Sequence, residues 1–139
     1  MNEDSKKVLL YFHGNAEDLF TSTNILESLK YGLDCSVIGL EYPGYGIYEE
    51  RFNGGPSEEK IKEDAEYVYK FILANMGITE QDIILFGRSM GSGPACWLAS
   101  QYKPAALCVM SGYMSIQSIV GSYVGPLKYL VQERFDNVN

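Results

Sequence analysis

One serine stands in a pattern that is typical of nucleophilic catalysis. Ser89 is the central residue of a Gly-x-Ser-x-Gly sequence whose glycines are Gly87 and Gly91, and the apolar run 83–86 comes directly before it. A strand that turns tightly into a helix lifts one side chain out at the end of a sheet, and small flanking residues keep that strained turn clear. The pattern predicts that Ser89 is a nucleophile for acyl transfer. The alternative is a plain strand-to-helix turn with a capping serine.

The same glycines could in principle belong to a nucleotide-binding loop. Gly91 and Gly93 would be its first two glycines, but Cys96 occupies the position of the third. No acidic residue follows near 106–112 to bind a ribose, and the chain contains no Gly-Lys-Ser/Thr sequence for phosphate. These absences argue against a nucleotide site.

A second polar turn follows the first apolar run of the chain, and it reads His13-Gly14-Asn15-Ala16. If this turn faces the serine across adjacent strands, its backbone N–H groups are suited to bind a developing oxyanion. We therefore predict an oxyanion hole with one donor from Met90 and one from Asn15 or Ala16.

His13 has a second possible role, because it is the only histidine in the chain. It could act as general base, but a His-Gly sequence at a strand end more often shapes a loop by bonding to the backbone.

The loop 41–48 contains Tyr42 and Tyr45 and is predicted to follow another strand, so these tyrosines either line the pocket or form a plain turn. Sequence alone leaves both alternatives open.

Alternating apolar and amphipathic segments set the framework for these residues. The spacing predicts strands at 7–12, 35–40, 82–86 and 105–110, helices beginning at Glu17 or Asp18, at Glu58 and at Met90, and short helices at 115–120 and 127–133. This alternation indicates an α/β fold of one domain, 1–139, with a mostly parallel sheet of about four strands and helices on both faces. His13, Tyr42, Ser89 and Ser111 would follow strand ends, where chemistry gathers in such sheets. Trp97 and the aromatic cluster 67–71 are expected in the core.

Composition excludes several other functions. The net charge is −7, which disfavours nucleic acid and anionic lipid as partners, and no apolar run reaches the roughly 20 residues of a membrane helix. The N-terminal residues show no signal-peptide pattern. The three cysteines lack metal-site or disulfide spacing and are expected to be buried, reduced thiols, which favours a cytoplasmic location.

Taken together, the motifs resemble the α/β-hydrolase superfamily, and more narrowly its ABHD17 and ABHD13-like branch, which is related to Bem46. The resemblance covers about 7–137 and rests on four stretches: 12–16, 41–46, 56–58 and 87–94. It implies a partial α/β-hydrolase fold and hydrolysis of esters or thioesters through an acyl-enzyme at Ser89. It implies no cofactor or metal, and its substrates would be small acyl esters or acylated proteins, because the ABHD17 branch removes fatty acyl groups from protein cysteines. A membrane-peripheral location is a further implication.

The chain departs from the family where the rest of the catalytic triad is expected. Such hydrolases carry an acid and then a histidine after the nucleophile, whereas no histidine follows Ser89 and Asp136 matches a different family position. We therefore expect a truncated domain that is inactive by itself. The alternative is a non-catalytic fragment or pseudoenzyme that acts as a binding module. Strand 105–110 would form an exposed sheet edge, through which copies of the chain could associate.

Overall fold

The computed structural model describes residues 7–48 and 57–111, which form a four-stranded parallel sheet with helices packed against it. The strands are β1 (Val8–Phe12), β2 (Ser36–Leu40), β3 (Ile83–Arg88) and β4 (Ala106–Met110), in the spatial order β2-β1-β3-β4. Each neighbouring pair is parallel. The predicted parallel sheet of about four strands is confirmed.

β1 lies inside the sheet and is buried on both faces. All five of its residues are buried, which explains why its sequence is continuously apolar instead of alternating. Val8, Leu10 and Phe12 point to one face, while Leu9 and Tyr11 point to the other.

Three helices cover the two faces of the sheet. They are α1 (Thr23–Leu33), α2 (Glu58–Asn75) and α3 (Ser92–Gln101). α1 packs against the face that carries Leu9 and Tyr11, whereas α2 and α3 pack against the opposite face. Helices on both faces are therefore confirmed. None of the helices in the described ranges is long and apolar enough to cross a bilayer.

The start of α2 follows the capping chemistry that the sequence predicts. The Ser57 side chain accepts a hydrogen bond of 3.1 Å from the Lys60 backbone N–H, and Glu58 and Glu59 lie in the first turn. The hydroxyl satisfies a donor that has no partner within the helix, and the acids complement the positive end of the helix dipole.

Two helix starts differ from the prediction. α1 begins at Thr23, because Asp18 and Thr21 bond to each other in a tight turn: the Thr21 N–H donates to Asp18 Oδ1 at 2.7 Å, and the Asp18 N–H donates to Thr21 Oγ1 at 2.9 Å. These local bonds compete with helix formation. α3 begins at Ser92, because β3 continues to Arg88 and a single 3₁₀ turn, 89–91, comes between them.

Two predictions about buried side chains were wrong in part. Within the aromatic cluster of α2, Tyr69 is buried, but Tyr67 and Phe71 are exposed on the outer side of the helix. Cys35 is a buried free thiol, whereas Cys108 is exposed on β4. The predicted helices 115–120 and 127–133, like Asp136, lie outside the described residues.

Candidate active site

The residues that the sequence singles out meet at one edge of the sheet. Because all four strands are parallel, the residues that follow their carboxyl ends lie on the same side of the molecule. His13 directly follows β1, Ser89 follows β3 and Ser111 follows β4, while Tyr42 lies two residues beyond β2. The structure therefore brings the candidate residues of separate loops to a common edge.

Ser89 adopts a left-handed backbone conformation at the point where β3 ends. Its φ angle is +49°, in a region that residues with a Cβ rarely occupy. Such a conformation costs about 1–2 kcal/mol for an L-residue and persists only where its surroundings impose it. Here the extended strand before Ser89 and the helical turn after it impose the bend, and the side chain remains partly exposed.

The glycines on either side of Ser89 leave no room for a side chain. A Cβ on Gly87 would lie 2.5 Å from the Gly91 carbonyl oxygen, and a Cβ on Gly91 would lie 2.2 Å from the Phe12 carbonyl oxygen. Both obstacles are backbone atoms, which cannot rotate away. Glycine at these two positions is therefore a steric requirement of the turn.

The turn after β1 packs directly against the Ser89 turn. Besides the contact with Phe12, a Cβ on Gly91 would lie 2.7 Å from the His13 carbonyl oxygen. A Cβ on Gly14 would lie 3.5 Å from the Ser89 Cβ. The stretch 13–16 thus lies beside the serine, as expected from the pairing of β1 with β3.

Two backbone N–H groups of this turn are free for a ligand. Asn15 and Ala16 are exposed, and their N–H groups donate to no protein acceptor among the described residues. Met90 lies in the 3₁₀ turn immediately after Ser89 and is half-buried. The three residues predicted to supply oxyanion donors therefore lie in two turns that pack against each other beside Ser89.

His13 is fully buried, and both of its ring nitrogens are engaged. Nδ1 lies 2.8 Å from the Gly14 carbonyl oxygen, and Nε2 lies 2.7 Å from Glu41 Oε1. A carbonyl oxygen can only accept, so Nδ1 donates to Gly14, while Nε2 is engaged by the Glu41 carboxyl group. Neither nitrogen is left to take a proton from Ser89.

Glu41 connects the loops that follow β1 and β2, and no periodicity or motif in the sequence signals this role. Besides His13, its carboxylate accepts from the Leu19 N–H at 3.0 Å and from the Tyr42 N–H at 3.2 Å. Gly46 has a φ of +52°, and a Cβ there would lie 2.4 Å from Glu41 Oε2. The carboxylate is therefore enclosed by backbone donors and by Gly46, where a side chain would not fit.

The two tyrosines of the 41–48 loop have different environments. Tyr42 is fully buried and donates its hydroxyl to the His13 carbonyl oxygen at 2.9 Å, so it supports the turn from within instead of lining an open pocket. Tyr45 is half-buried, and its hydroxyl lies 2.5 Å from Asn15 Oδ1. Burial and the nearby Glu41 raise the pKa of Tyr45, which keeps its hydroxyl protonated and able to donate.

The described residues include no group of three or more acidic, histidine or cysteine side chains that could hold a metal ion. The arrangement instead offers a hydroxyl on a strained turn, beside backbone donors and a buried histidine–carboxylate pair. Such a set can bind and polarise a carbonyl group next to a hydroxyl.

Comparison with known proteins identifies relatives of this chain by sequence. No family model matches the chain. The chain is 35% identical over 111 residues to α/β-hydrolase domain-containing protein 17C of Xenopus laevis, covering 80% of this chain and 34% of that protein. It is 37% identical over 112 residues to the α/β-hydrolase domain-containing protein aho-3 of Caenorhabditis elegans, covering 81% and 32%. The chain thus spans about one third of the length of these relatives.

Solved structures share the fold. An α/β hydrolase from Vibrio vulnificus superposes with a TM-score of 0.73 at 24% identity, covering 95% of this chain and 50% of that one. An esterase of the bacterial hormone-sensitive lipase family superposes with a TM-score of 0.64 at 24% identity, covering 86% and 40%. At this identity the structures establish the architecture alone. The sequence relatives and the fold together show that the chain belongs to the α/β-hydrolase superfamily and is related to the α/β-hydrolase domain-containing proteins of the 17 group, such as 17C.

Proposed function

We propose that this chain carries the nucleophile of a serine hydrolase that cleaves ester or thioester bonds, and that Ser89 is this nucleophile. The observation that carries the proposal is the left-handed backbone of Ser89, with φ of +49°, between two glycines that have no room for a Cβ. A strained strand-to-helix turn of this kind presents a hydroxyl above the edge of an α/β sheet. A serine with a purely capping role would not need this backbone conformation.

The proposed reaction proceeds through an acyl-enzyme. Ser89 Oγ attacks the acyl carbonyl carbon while a general base takes its proton, and the carbonyl oxygen becomes an oxyanion. The N–H groups of Met90 and of Asn15 or Ala16 donate to that oxyanion, and losing one such donor typically costs about 10²–10³ in rate. The tetrahedral intermediate then expels an alcohol or thiol, which takes a proton, and water hydrolyses the ester on Ser89.

The general base in this proposal is not His13. Its ring is buried and both nitrogens are bonded, to Gly14 and to Glu41. The chain contains no other histidine, so in this proposal a catalytic histidine is supplied by residues outside the given sequence or by another chain. Where the triad residues of a serine protease were removed, the loss in kcat was about 10⁶. The 139 residues alone are therefore expected to be a very poor catalyst.

The substrates in this proposal are small acyl esters or acylated proteins. Resemblance to the α/β-hydrolase domain-containing proteins of the 17 group is the reason for proposing a fatty acyl thioester as substrate. Two exposed apolar side chains support this choice. Phe20, in the loop after β1, is 87% exposed, and Ile47, in the loop after β2, is 97% exposed. Both loops follow strand carboxyl ends, on the same side as Ser89, where apolar groups would favour an acyl chain.

The alternative is a binding module that keeps the hydrolase site without its chemistry. The engagement of the only histidine by Glu41 is the observation that favours this alternative. Both functions use the same donors next to Ser89, but only a hydrolase requires a reactive serine hydroxyl. Reactivity of Ser89 therefore distinguishes them.

A fluorophosphonate probe tests the proposal, because an oxyanion hole without its triad partners still leaves a residual rate of about 10³–10⁴ over water, so Ser89 should react slowly even in this chain. We expect slow labelling that is lost in Ser89→Ala and retained in Ser111→Ala. Ser111 is a matched control, because it also follows a strand of the sheet and has a left-handed φ of +51°. Labelling that persists in Ser89→Ala would remove Ser89 as the nucleophile, and no labelling of the unsubstituted chain would favour the binding module. His13→Ala should lower stability without selectively lowering the labelling rate.

We also propose that copies of the chain associate through β4. All five residues of this strand are exposed, and it borders the described part of the sheet. An unpaired strand edge can add a strand from another chain. Size-exclusion chromatography should show a concentration-dependent larger species that Val109→Lys abolishes. A monomer at all concentrations would contradict this association.

A further inference from the structure

An ion pair links the turn after β1 to the turn that carries Ser89. The guanidinium Nη1 of Arg88, the residue just before the serine, donates to Glu17 Oε1. The two residues are 71 positions apart in sequence: Glu17 lies in the loop after β1, and Arg88 is the last residue of β3. Their side chains are 38% and 21% exposed, so the pair is partly shielded from water.

The carboxylate of this pair lies next to the candidate nucleophile. A Cβ on Gly14 would be 3.2 Å from Glu17 Oε1 and 3.5 Å from the Ser89 Cβ. The carboxylate and the serine therefore both lie against the same glycine. The ion pair therefore connects the loop after β1 to the end of β3 beside Ser89.

Glu17 also closes its own turn. Its N–H donates to the Gly14 carbonyl oxygen at 3.3 Å, which brackets Asn15 and Ala16. Its second carboxylate oxygen accepts from Ser22 Oγ at 3.3 Å. Movement of Glu17 would therefore move the backbone segment that carries Asn15 and Ala16.

The turn is thus held from two sides. On the β2 side, Glu41 binds the Leu19 N–H and the His13 ring. On the β3 side, within the part of the chain that the structure describes, Glu17 and Arg88 form the side-chain link. Without that contact, the stretch 15–17 would keep its link to β2 but lose this side-chain link to β3 and Ser89.

We propose that Glu17 and Arg88 are positioning residues, which hold the N–H groups of Asn15 and Ala16 at a fixed distance from the Ser89 hydroxyl. This inference rests on the proposed function, because it assigns the ion pair to the oxyanion site. Partly exposed ion pairs contribute little to unfolding stability. Reactive sites, in contrast, depend on placement within about 0.5 Å. The pair therefore acts on the geometry of the site more than on the stability of the fold.

Hydrogen–deuterium exchange tests the link without requiring activity. Arg88→Gln and Glu17→Gln should each speed exchange of the hydrogen-bonded Glu17 and Asp18 amides in the segment 14–18 by roughly tenfold, because local opening becomes easier. The double variant should be no faster than either single variant. The exchanged pair Glu17→Arg with Arg88→Glu should restore slow exchange. Lys70→Gln, which removes the exposed ion pair between Lys70 and Glu66 in α2, serves as control and should leave the segment unchanged.

Phosphonylation gives the second readout. Relative to the unsubstituted chain, Arg88→Gln should lower the labelling rate of Ser89 by about tenfold, since misplacement of about 1 Å can cost 10²-fold in rate. The exchanged pair should recover most of that rate.

The two readouts separate failure of this inference from failure of the proposed function. Unchanged exchange in segment 14–18 of Arg88→Gln would overturn the inference. An equal rise in α2 would also overturn it, because it would indicate general destabilisation. If the unsubstituted chain is not labelled at all, the proposed function fails, and the exchange data still decide whether Arg88 holds the turn.

Discussion

Gly91→Ala is the substitution that tests most directly how the Ser89 turn is built. The added Cβ would lie 2.2 Å from the Phe12 carbonyl oxygen, 2.5 Å from the Phe12 carbonyl carbon and 2.7 Å from the His13 carbonyl oxygen. All three atoms belong to the backbone at the end of β1, the strand buried on both faces. A change of rotamer cannot relieve such a contact.

The size of the effect follows from these distances. Ordinary van der Waals contact begins at 3.4 Å, so the Ser89 turn and the end of β1 must separate by on the order of 1 Å in a close-packed interior. Overpacking of this kind typically costs about 1–3 kcal/mol. We expect a loss at the upper end of that range in the free energy of unfolding, because the sheet hydrogen bonds between β1 and β3 oppose the separation.

Urea unfolding, followed by far-ultraviolet circular dichroism, measures this loss, and two other glycines provide matched controls. Gly32 lies in α1 with open space where a Cβ would be added, so Gly32→Ala should raise stability by about 0.5–1 kcal/mol through helix propensity. Gly77 has equal space but a φ of +64°, so Gly77→Ala should cost about 1–2 kcal/mol through conformation alone.

The ranking of the three variants decides the question. If Gly91→Ala is no more destabilising than Gly77→Ala, the close approach of the Ser89 turn to β1 is not a real constraint. In that case Asn15 and Ala16 would no longer be required to lie beside Ser89. A larger loss for Gly91→Ala supports the packing on which the proposed oxyanion site depends.

Three further predictions test other parts of the structure. Ser89→Gly should be more stable than Ser89→Ala by about 1 kcal/mol in urea unfolding, because glycine relieves the left-handed backbone; equal stability would contradict that conformation. Glu41→Ala should lower the free energy of unfolding by about 1–3 kcal/mol, since it leaves Nε2 of buried His13 without its hydrogen-bond partner, and no measurable loss would refute this role. Hydrogen bonds from Thr79, with a further one from Lys7, lower the pKa of Asp82 to about 2. A carboxylate with a depressed pKa adds stability above its unfolded pKa of about 4 and loses it as pH falls towards 2. Asp82→Asn should therefore be less stable than the unsubstituted chain at about pH 7, and the difference should vanish near about pH 2; a difference that persists there would contradict the assignment.

Local sequence patterns predicted the elements of this fold well, because each depends on residues close together in the chain. The continuous apolar run of β1 indicated a strand covered on both faces, and all five residues are buried. Ser57 and the acids after it marked the start of α2 to the residue. The prediction failed where neighbouring side chains competed with the helix, as Asp18 and Thr21 do before α1.

The side chains that fix the candidate site could not be predicted in the same way. Glu41 contacts His13 across 28 residues, and Arg88 contacts Glu17 across 71. Glu41 and Arg88 both lie in stretches that carry the family resemblance, but neither motif indicates which distant side chain each of them contacts. Only the pairing of β1 with both β2 and β3 brings these groups within bonding distance.

The sequence by itself determined which residues could do chemistry. Its Gly-x-Ser-x-Gly pattern, its His-Gly-Asn-Ala turn and its alternation of strands and helices identify the serine, the turn beside it and the parallel sheet, because all of these are local. The tertiary structure decided what His13 does. Strand order places Glu41 against one ring nitrogen and Tyr42 against the ring, so the only histidine of the chain is committed to shaping the turn. That commitment depends on burial and on contacts between distant strands, which no local pattern encodes.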